Sequence, residues 1–527
     1  MDTKALRQKI LDLAIRGQLV PQDPNDEPAS VLLDRIRAEK QKMVKEGKLK
    51  AKDIKNDSVI FVGEDNLHYE KFADGSVRCI EDEIPFDLPE GWEWVRLQSI
   101  CSMSNGVAKR NGSDGTGTIV LRLADLGERE ISFSDTRSVI LTDDEIRKYA
   151  LFVGDVLFIR VNGSKENVGK SFYFDNESFP VAYCDHLIRC TPTEVLRGKL
   201  LSMFMRCGYV RQLIDERMVS AAGQNTISQP SLATILLPVP PLKEQDRIIH
   251  RLNNADNYIS QIYNSKQRLA ELVLHTKAKI LDLAIRGQLV PQDPNDESAS
   301  ILLERIRAEK EKLIKQGKIK RDKKETVIFR GEDNSYYVRQ GTHTEFIDDK
   351  FIFDLPDNWE WCTLLNVAKI ELGKTLDSVK NTGAKHPYLR SANVRWNEVD
   401  LADLKEMRFE PEEIDRYTVR RNDLLICEGG DVGRSCVWTD EKEILYQNAL
   451  HRVRFYGECN PFYFVYYMMY YESRGIIKAL CKGVTIKHLT GNVLSLIPFA
   501  LPPLEEQGRI VERLNQMFAL LGTILCD

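Results

Sequence analysis

Residues 241–287 read PLKEQDRIIHRLNNADNYISQIYNSKQRLAELVLHTKAKILDLAIRG, and this stretch decides the fold. Between Pro241 and Gly287 there is no other Pro or Gly. A 4-3 apolar spacing runs through it as Ile248, Leu252, Ala255, Ile259, Ile262, Lys266, Leu269, Val273, Thr276, Ile280 and Leu283, interrupted only by Lys266 and Thr276. A heptad stripe of this length predicts one long helix with a partner helix laid over the stripe. At about 1.5 Å per residue the seam makes a rod of roughly 50–55 Å. Without a partner, the stretch would read as a core helix of one large domain.

The partner is split between the two ends of the chain. Lys9–Lys40 recurs at Lys279–Lys310 with three differences in 32 positions: Pro28/Ser298, Val31/Ile301 and Asp34/Glu304. Pro240-Pro241-Leu242-Lys243-Glu244-Gln245 recurs as Pro502-Pro503-Leu504-Glu505-Glu506-Gln507, followed by the seam residues Ile510, Leu514, Met517, Leu521 and Ile524. The C-terminal helix thus repeats the front half of the central helix, and the N-terminal helix repeats its back half. Internal repetition of this kind predicts a pseudo-two-fold chain. The expected class is α+β: two strand-rich globular domains separated by a long antiparallel two-helix coiled coil, a dumbbell whose second helix is built from both termini.

The expected divisions are an N-terminal helix and arm (1–89), a first globular domain (90–240) and the central helix with its connector (241–310). A second arm (311–356), a second globular domain (357–501) and the C-terminal helix (502–527) follow. At 527 residues, 43% hydrophobic and 29% charged, the composition is that of a soluble multi-domain protein. No apolar run approaches the roughly 20 residues of a membrane span, and the N-terminus has no signal-peptide core. Eleven Cys without a C-x-x-C pair or zinc-like spacing read as reduced thiols of a cytoplasmic protein. A net charge of −5 argues against binding any polyanion through bulk charge.

In chain order, Gly17 closes the first helix and Pro21–Pro28 is a turn-rich connector. Ala29–Glu46 reads as a lysine-bearing helix, and its copy is equally basic, which suits either a solvated face or a phosphate or partner contact. Val59-Ile60-Phe61 and Val327-Ile328-Phe329 read as short strands. Phe86-Asp87-Leu88-Pro89-x-x-Trp92-Glu93-Trp94 matches Phe353-Asp354-Leu355-Pro356-x-x-Trp359-Glu360-Trp361, an apolar anchor ahead of each globular domain with its two Trp on one face. Each domain carries a helical stretch near its end, Leu200–Met205 in the first and Phe462–Tyr471 in the second, the latter apolar all round and so buried. Elsewhere the two domains share only landmarks: Asp155/Asp423, Val168-Gly169-Lys170 against Val432-Gly433-Arg434, Arg122/Arg390, and His186-x-x-Arg189 against His451-x-x-Arg454. The rod is copied almost letter for letter while the domains have kept a frame and changed their surfaces. One rigid spacer with two different readers has this form.

Catalytic motifs are missing. Gly163–Ser171 resembles a phosphate loop, but it has one residue too many between its glycines and runs into strand-like Phe172-Tyr173-Phe174, so it reads as a hairpin turn. Asn460-Pro461-Phe462-Tyr463 lacks the second Pro and the Gly-rich cofactor loop of an amino-methyltransferase. No H-E-x-x-H or G-x-S-x-G occurs, and His186 reads as a hydrogen-bonded strand residue. The chain is expected to catalyse nothing alone and to hold no cofactor or metal.

Leu281-Asp282-Leu283-Ala284-Ile285-Arg286-Gly287-Gln288-Leu289-Val290-Pro291-Gln292-Asp293-Pro294, its copy from Leu11, and the Pro-Pro-Leu-x-Glu-Gln helix starts together resemble the specificity subunit of type I restriction–modification enzymes, over the whole chain. The resemblance implies two target-recognition domains reading an asymmetric bipartite site in double-stranded DNA. It implies two methyltransferase subunits using S-adenosylmethionine and two motor–endonuclease subunits using ATP and magnesium, those cofactors all belonging to the partners. It also implies that the helix pair sets the gap between half-sites and docks the methyltransferases.

Residues 98–240 hold 16 Lys and Arg against 16 Asp and Glu, and residues 365–501 hold 19 against 18, so DNA binding needs a segregated basic face. By residue type, candidates in the first domain are Lys109, Arg110, Arg122, Arg160, Lys170, Arg189, Gln224 and Asn225. In the second they are Lys374, Lys385, Arg390, Arg395, Arg434, Arg454 and Lys487. His186 and Arg189, an odd number apart, face opposite ways on one strand. Two other readings compete: a dumbbell scaffold whose domains bind proteins, and an ATP-binding loop centred on Lys170.

Overall fold

The computed structural model describes residues 2–47, 50, 54–110, 114–322, 325–348, 353–377, 381–481 and 488–526. The chain forms two compact units, Met1–Lys266 and Gln267–Asp527, and the division falls inside one 44-residue helix, Leu242–Ile285. Among the described residues no helix is long and apolar enough to cross a membrane.

Unit 1 begins with the N-terminal helix Thr3–Ile15, capped by the Asp2 carboxylate, and the lysine-bearing helix Ala29–Lys45. An antiparallel meander follows, Ser58–Val62, His68–Phe72 and Val77–Cys79. Strand Glu93–Arg96 enters the globular domain and strand Leu236–Val239 leaves it, and the two pair antiparallel, so the domain is closed at its neck. Within it, a four-stranded antiparallel sheet orders Ser171–Tyr173, Val156–Ile159, Leu187–Pro192 and Cys101–Asn105. A second sheet orders Val181–Tyr183, Thr116–Leu121 and Ser138–Leu141, the first two running parallel.

Unit 2 repeats the plan: helix Ala299–Lys315, a meander of Val327–Arg330, Tyr336–Gln340 and His343–Phe346, and a neck in which Glu360–Thr363 pairs with Pro498–Leu501. Its first sheet orders Ala368–Leu372, Leu450–Phe455, Leu424–Cys427 and Ser435–Val437. Its second orders Lys405–Phe409, Ala384–Leu389, Ile444–Tyr446 and Thr418–Val419, again with one parallel pair. Helix Pro461–Ser473 is buried on nearly every side, as its composition requires.

The repeated letters build the same joint in each unit. Gly17 and Gly287 close their helices in the left-handed region (φ 66° and 68°), and a Cβ there would lie 2.4 Å from Pro89 and 2.5 Å from Pro356. Glycine is therefore required twice over, by conformation and by contact. Trp92 Nε1 donates to Glu244 Oε2 and Trp359 Nε1 to Glu506 Oε2, each at 3.0 Å. The amides of Gln22 and Gln292 donate to the same two glutamates and to the carbonyls of Gly17 and Gly287. Arg247 pairs with Asp26 at 2.7 Å and Arg509 with Asp296 at 2.6 Å. Gln245 and Gln507 bind the Pro240 and Pro502 carbonyls and accept the backbone N–H of Arg197 and Asn460. The Pro-Pro-Leu-x-Glu-Gln motif is thus the helix side of a hydrogen-bonded socket for the connector and the anchor Trp.

Each terminal helix runs antiparallel to its half of the central helix. In unit 1 Arg7 Nε meets Asp256 at 2.8 Å while Gln22, beyond the other end of the helix, meets Glu244. In unit 2 Glu506 meets Gln292 while Phe518 lies under Lys277 Nζ, 5.2 Å from the ring centroid. Ile248, Leu252, Ile259, Val273, Ile280, Ile510 and Leu514 are buried on the expected seam, and Leu283, Met517 and Leu521 are half-buried. The seam expectation fails at two positions and weakens at a third. Leu269 is 38% exposed and Ile524 44%, because the helix pairing in unit 2 is thin at the end of the C-terminal helix; Ile262 is only half-buried.

Two further expectations are refined. The copied lysines Lys40 and Lys310 are internal struts, on Asp57 and the Ser99 carbonyl and on Glu325 and the Leu365 carbonyl, rather than free phosphate contacts. The alternate Trp residues in unit 1 serve two cores: Trp92 packs with Ala14 and Leu32, Trp94 with Ile60, Ile80 and Leu236.

Candidate nucleic-acid interface

In unit 1 several strands end at one edge. Strands Cys101–Asn105 and Val156–Ile159 run toward it and Leu187–Pro192 starts from it, so Asn105, Arg160 and His186 come together. The parallel pair brings Leu121 and Tyr183 to the same place, since the Cys184 N–H donates to the Leu121 carbonyl and the Val107 N–H to Tyr183. The hairpin Val219–Ala221 and Gln224–Thr226 joins the edge by pairing with Val161–Asn162, and Ala222 and Gly223 turn it with positive φ.

Here Arg110 donates to the Asp185 carboxylate at 2.8 Å and Arg160 to the Asp185 carbonyl at 2.9 Å. The Arg110 guanidinium holds the Asp185 carboxyl below its ordinary value against the opposing effect of burial. Arg122 forks onto Asp125 at 2.7 Å and Lys109 pairs with Glu145 at 2.9 Å. Gln224 is exposed, whereas Asn225 is buried, donating to the Gly163 carbonyl at 2.9 Å. Arg189 lies over the Tyr183 ring with its guanidinium on the Ala150 carbonyl. Lys170 sits on Asn167 at 2.7 Å and lines a different cavity. The stretch around it is a short turn, Lys165–Asn167, followed by strand Ser171–Tyr173, so no helix N-terminus receives a phosphate there. His186, half-exposed and 3.4 Å from Asp185, precedes its strand rather than lying in it.

The matching edge of unit 2 is locked more tightly. Lys374 is buried between Glu410 and Glu413. Arg390 binds Asp403 at 2.8 Å, whereas Arg454 lies at the opposite end of the sheet from this edge, in a two-pronged pair with Asp423 at 2.7 and 2.6 Å. Arg434 reaches Asp431 and, at 2.9 Å, the Ser391 carbonyl. His451 is buried against the Leu489 carbonyl at 2.8 Å, and burial lowers its pKa. Lys385 and Arg395 are exposed, Arg395 lying 3.6 Å from Asp400. Lys487 lies outside the described residues.

Free-energy scales separate these candidates. An exposed ion pair such as Arg110–Asp185 is worth about 0–1 kcal/mol, less than the roughly 1–3 kcal/mol of a good bidentate base contact, so it can be exchanged. Lys374 is itself buried, and moving it away would leave Glu410 and Glu413 unpaired beside each other, a loss that one new contact does not recover. Arg110, Arg160, Gln224, Lys385 and Arg395 are therefore the side chains available to a duplex. Reading by residue type missed Arg137, which donates to the Arg110 carbonyl at 2.7 Å, and Gln229, which donates to Asn105 Oδ1 at 2.7 Å. Gln229 is 124 residues from Asn105, and no local pattern marks that meeting.

A duplicated α+β unit with a hydrogen-bonded helix joint and a strand-end edge of arginines and amides is the architecture of a two-headed recognition subunit. The sequence profile described as Type I restriction modification DNA specificity domain matches residues 89–272 and 356–524. The chain belongs to this family and carries two copies of its domain. It is 28% identical over 98% of its length to the type I restriction enzyme EcoAI specificity subunit of Escherichia coli, covering 88% of that protein. It is 26% identical, again over 98% of its length, to the EcoEI specificity subunit of the same species, covering 89% of that protein. A chain from a type I restriction–modification system solved to follow complex assembly shares the fold, with a TM-score of 0.52 at 17% identity over 84% of this chain and 93% of that one.

Proposed function

We propose that this chain is the DNA-reading subunit of a type I restriction–modification enzyme, each unit reading one half of an asymmetric bipartite duplex site. The observation that carries the reading is internal: the Trp, Glu, Gln, Arg and Asp bonds of the joint recur in both units, while the strand-end edges share a frame and differ in the side chains they offer. Phosphate contacts would place each edge on the duplex, and Arg110, Arg160 and Gln224 in one unit, with Lys385 and Arg395 in the other, would read base edges.

Methyl transfer and cleavage belong to partner subunits. The complete assembly would hold two methyltransferase subunits with S-adenosylmethionine and two motor–endonuclease subunits with ATP and magnesium, in the cytoplasm. Exposed apolar side chains on the helices support docking there: Tyr258 and Tyr263 in unit 1, and Leu272, Leu274 and Leu520 in unit 2. Two copies of one joint suit two copies of one partner. The test is duplex binding by the chain with its methyltransferase partner across a salt series. Affinity should fall steeply, with a log–log slope of about −0.9 per phosphate contacted; a flat dependence would sink the DNA reading.

A further inference from the structure

Unit 1 contains a cavity of about 740 Å³ bounded by its N-terminal helix, its half of the central helix and its globular domain. Seven Lys and Arg side chains line it against four carboxylates, in a chain whose net charge is −5. Its centre is Arg206. That guanidinium donates from Nε and Nη2 to the Ser171 carbonyl, at 3.2 and 2.5 Å, and from Nη2 to the Arg129 carbonyl at 3.1 Å. Its Nη1 has no hydrogen-bond partner and no carboxylate is in ion-pair contact with it among the described residues. Burial, with the neighbouring Arg129, lowers its pKa to about 10. Nearby, Arg7 and Arg129 share one carboxylate oxygen, Asp256 Oδ1, at 2.8 and 2.5 Å. Three guanidiniums thus lie together, with Asp256 in contact with two of them and Glu128 nearby but touching none among the described residues. Arg206 and Arg7 are half-buried while Arg129 and Asp256 stay partly open to solvent, so an anion arriving from solvent can reach guanidiniums that outnumber the carboxylate they share.

The repeat shows that this excess is particular to unit 1. Arg197 and Asn460 donate their N–H to equivalent glutamines, and Ile214 and Ile477 press on equivalent glycines, Gly169 and Gly433. With that register, Met469 stands where Arg206 stands and Tyr466 where Met203 stands. On the helices, Phe518 takes the place of Asp256 and Lys277 that of Arg7. In unit 2 this region is filled: the Tyr466 ring packs on Phe518 at 5.7 Å and its hydroxyl reaches Asn515. The same architecture is closed with aromatic side chains in one unit and left open and cationic in the other.

We propose that the unit 1 cavity binds a small phosphorylated ligand, its phosphate held by Arg206, Arg129 and Arg7 and its uncharged part lying on Met203, Met205 and Leu252. The volume falls within the roughly 300–1,000 Å³ of small-molecule sites, and duplex DNA, whose major groove alone is about 12 Å wide, cannot enter it. Guanidiniums suit phosphate because their planar N–H pairs match its oxygens. Lys165, exposed at the rim, can meet a second phosphate. This is a binding site without the strand–loop–helix geometry of a phosphate-cleaving loop, and hydrolysis forms no part of it.

The test is thermal unfolding of the full-length chain titrated with inorganic pyrophosphate and, separately, with ADP, against sodium chloride at matched ionic strength. Each ligand should raise Tm saturably, ADP at lower concentration than pyrophosphate if the apolar wall is used. Arg206→Met, which installs the residue unit 2 carries at that place, should fold and should need at least tenfold more of either ligand for half-saturation. Lys165→Ala, at an exposed position, should weaken binding several-fold and serves if Arg206→Met does not fold. No saturable shift, a shift reproduced by chloride, or unchanged half-saturation in these variants would overturn the proposal. Loss of the methyltransferase partner from Arg206→Met without any small-anion binding would overturn it too, and would make the cavity a protein contact.

Discussion

The joint and the strand-end edge of each unit have had opposite histories within one chain. At the joint, Trp92, Glu244, Gln22, Arg247 and Asp26 are matched by Trp359, Glu506, Gln292, Arg509 and Asp296, with the same donors on the same acceptors. At the edge, the exposed Arg110 rests on a half-buried carboxylate in unit 1 while Lys374 is buried between two glutamates in unit 2. The difference teaches which residues set geometry and which set preference. A socket that bonds helix, connector and anchor Trp at once tolerates little change, because each lost partner leaves a buried polar group unpaired. An edge of exchangeable side chains can vary without disturbing the frame beneath it.

The largest expected effects test the equivalence of the joints. Trp92→Ala and Trp359→Ala should each lower stability by about 3–5 kcal/mol, and by similar amounts, in denaturant unfolding. Markedly unequal losses would show that the matched bonds do not carry matched energy. Next comes the seam. Ile259→Asp, at a position 3% exposed, should cost about 3 kcal/mol or more, whereas Leu269→Asp, 38% exposed, should stay within about 0.5 kcal/mol. A large loss at Leu269 would mean that the heptad reading holds there after all.

Smaller effects separate the edges. Arg110→Ala should weaken binding to the cognate duplex by about 1–3 kcal/mol while leaving Tm unchanged, since its internal pair is exposed. Lys374→Ala should do the reverse, lowering Tm before it touches recognition, because Glu410 and Glu413 would be left facing each other. The smallest effect is a pH dependence at the joint. Burial raises the Glu244 and Glu506 carboxyls above their ordinary 4.5, although the Trp and Gln hydrogen bonds oppose it. A raised carboxyl favours the protonated fold, so the stability it contributes is present at acid pH and lost as pH rises through its folded value. Glu244→Gln should therefore gain on the parent protein as pH rises from about 4.5 to 7, and Glu506→Gln should follow the same curve. A gain in the opposite direction would mean that the hydrogen bonds outweigh burial.

Much of the frame was legible in the letters. Repetition at fixed offsets and a heptad stripe define both helix halves without any contact map, and Gly17, Pro89 and Trp92 recur as Gly287, Pro356 and Trp359 because they touch one another. What Glu244 and Gln245 bind was not legible: a repeated motif says that a pair of positions matters, not which distant atoms face them. The edges were harder still. The parallel pairing of Val181–Tyr183 with Thr116–Leu121 joins strands some sixty residues apart, and only that crossover places Arg122 near Cys184. Choosing Arg, Lys, Asn and Gln by type gathered Asn225 and Lys374, which are buried with partners, beside Arg110 and Arg395, which are accessible. Arg206 left little signal: aligned on their glutamines, the two units set an arginine just past helix Gly198–Phe204 against Met469 inside helix Pro461–Ser473, among neighbours that differ almost throughout.

The central claim, one half-site per unit, is tested most directly by genome-wide adenine-methylation mapping in cells carrying this chain with its methyltransferase partner, repeated with Arg110→Ala and Arg160→Ala combined in unit 1. The account predicts a split, asymmetric motif that disappears without the chain, and in the variant a relaxed sequence in one half with the other half and the gap unchanged. Relaxation of both halves together, or methylation indifferent to the chain, would contradict it.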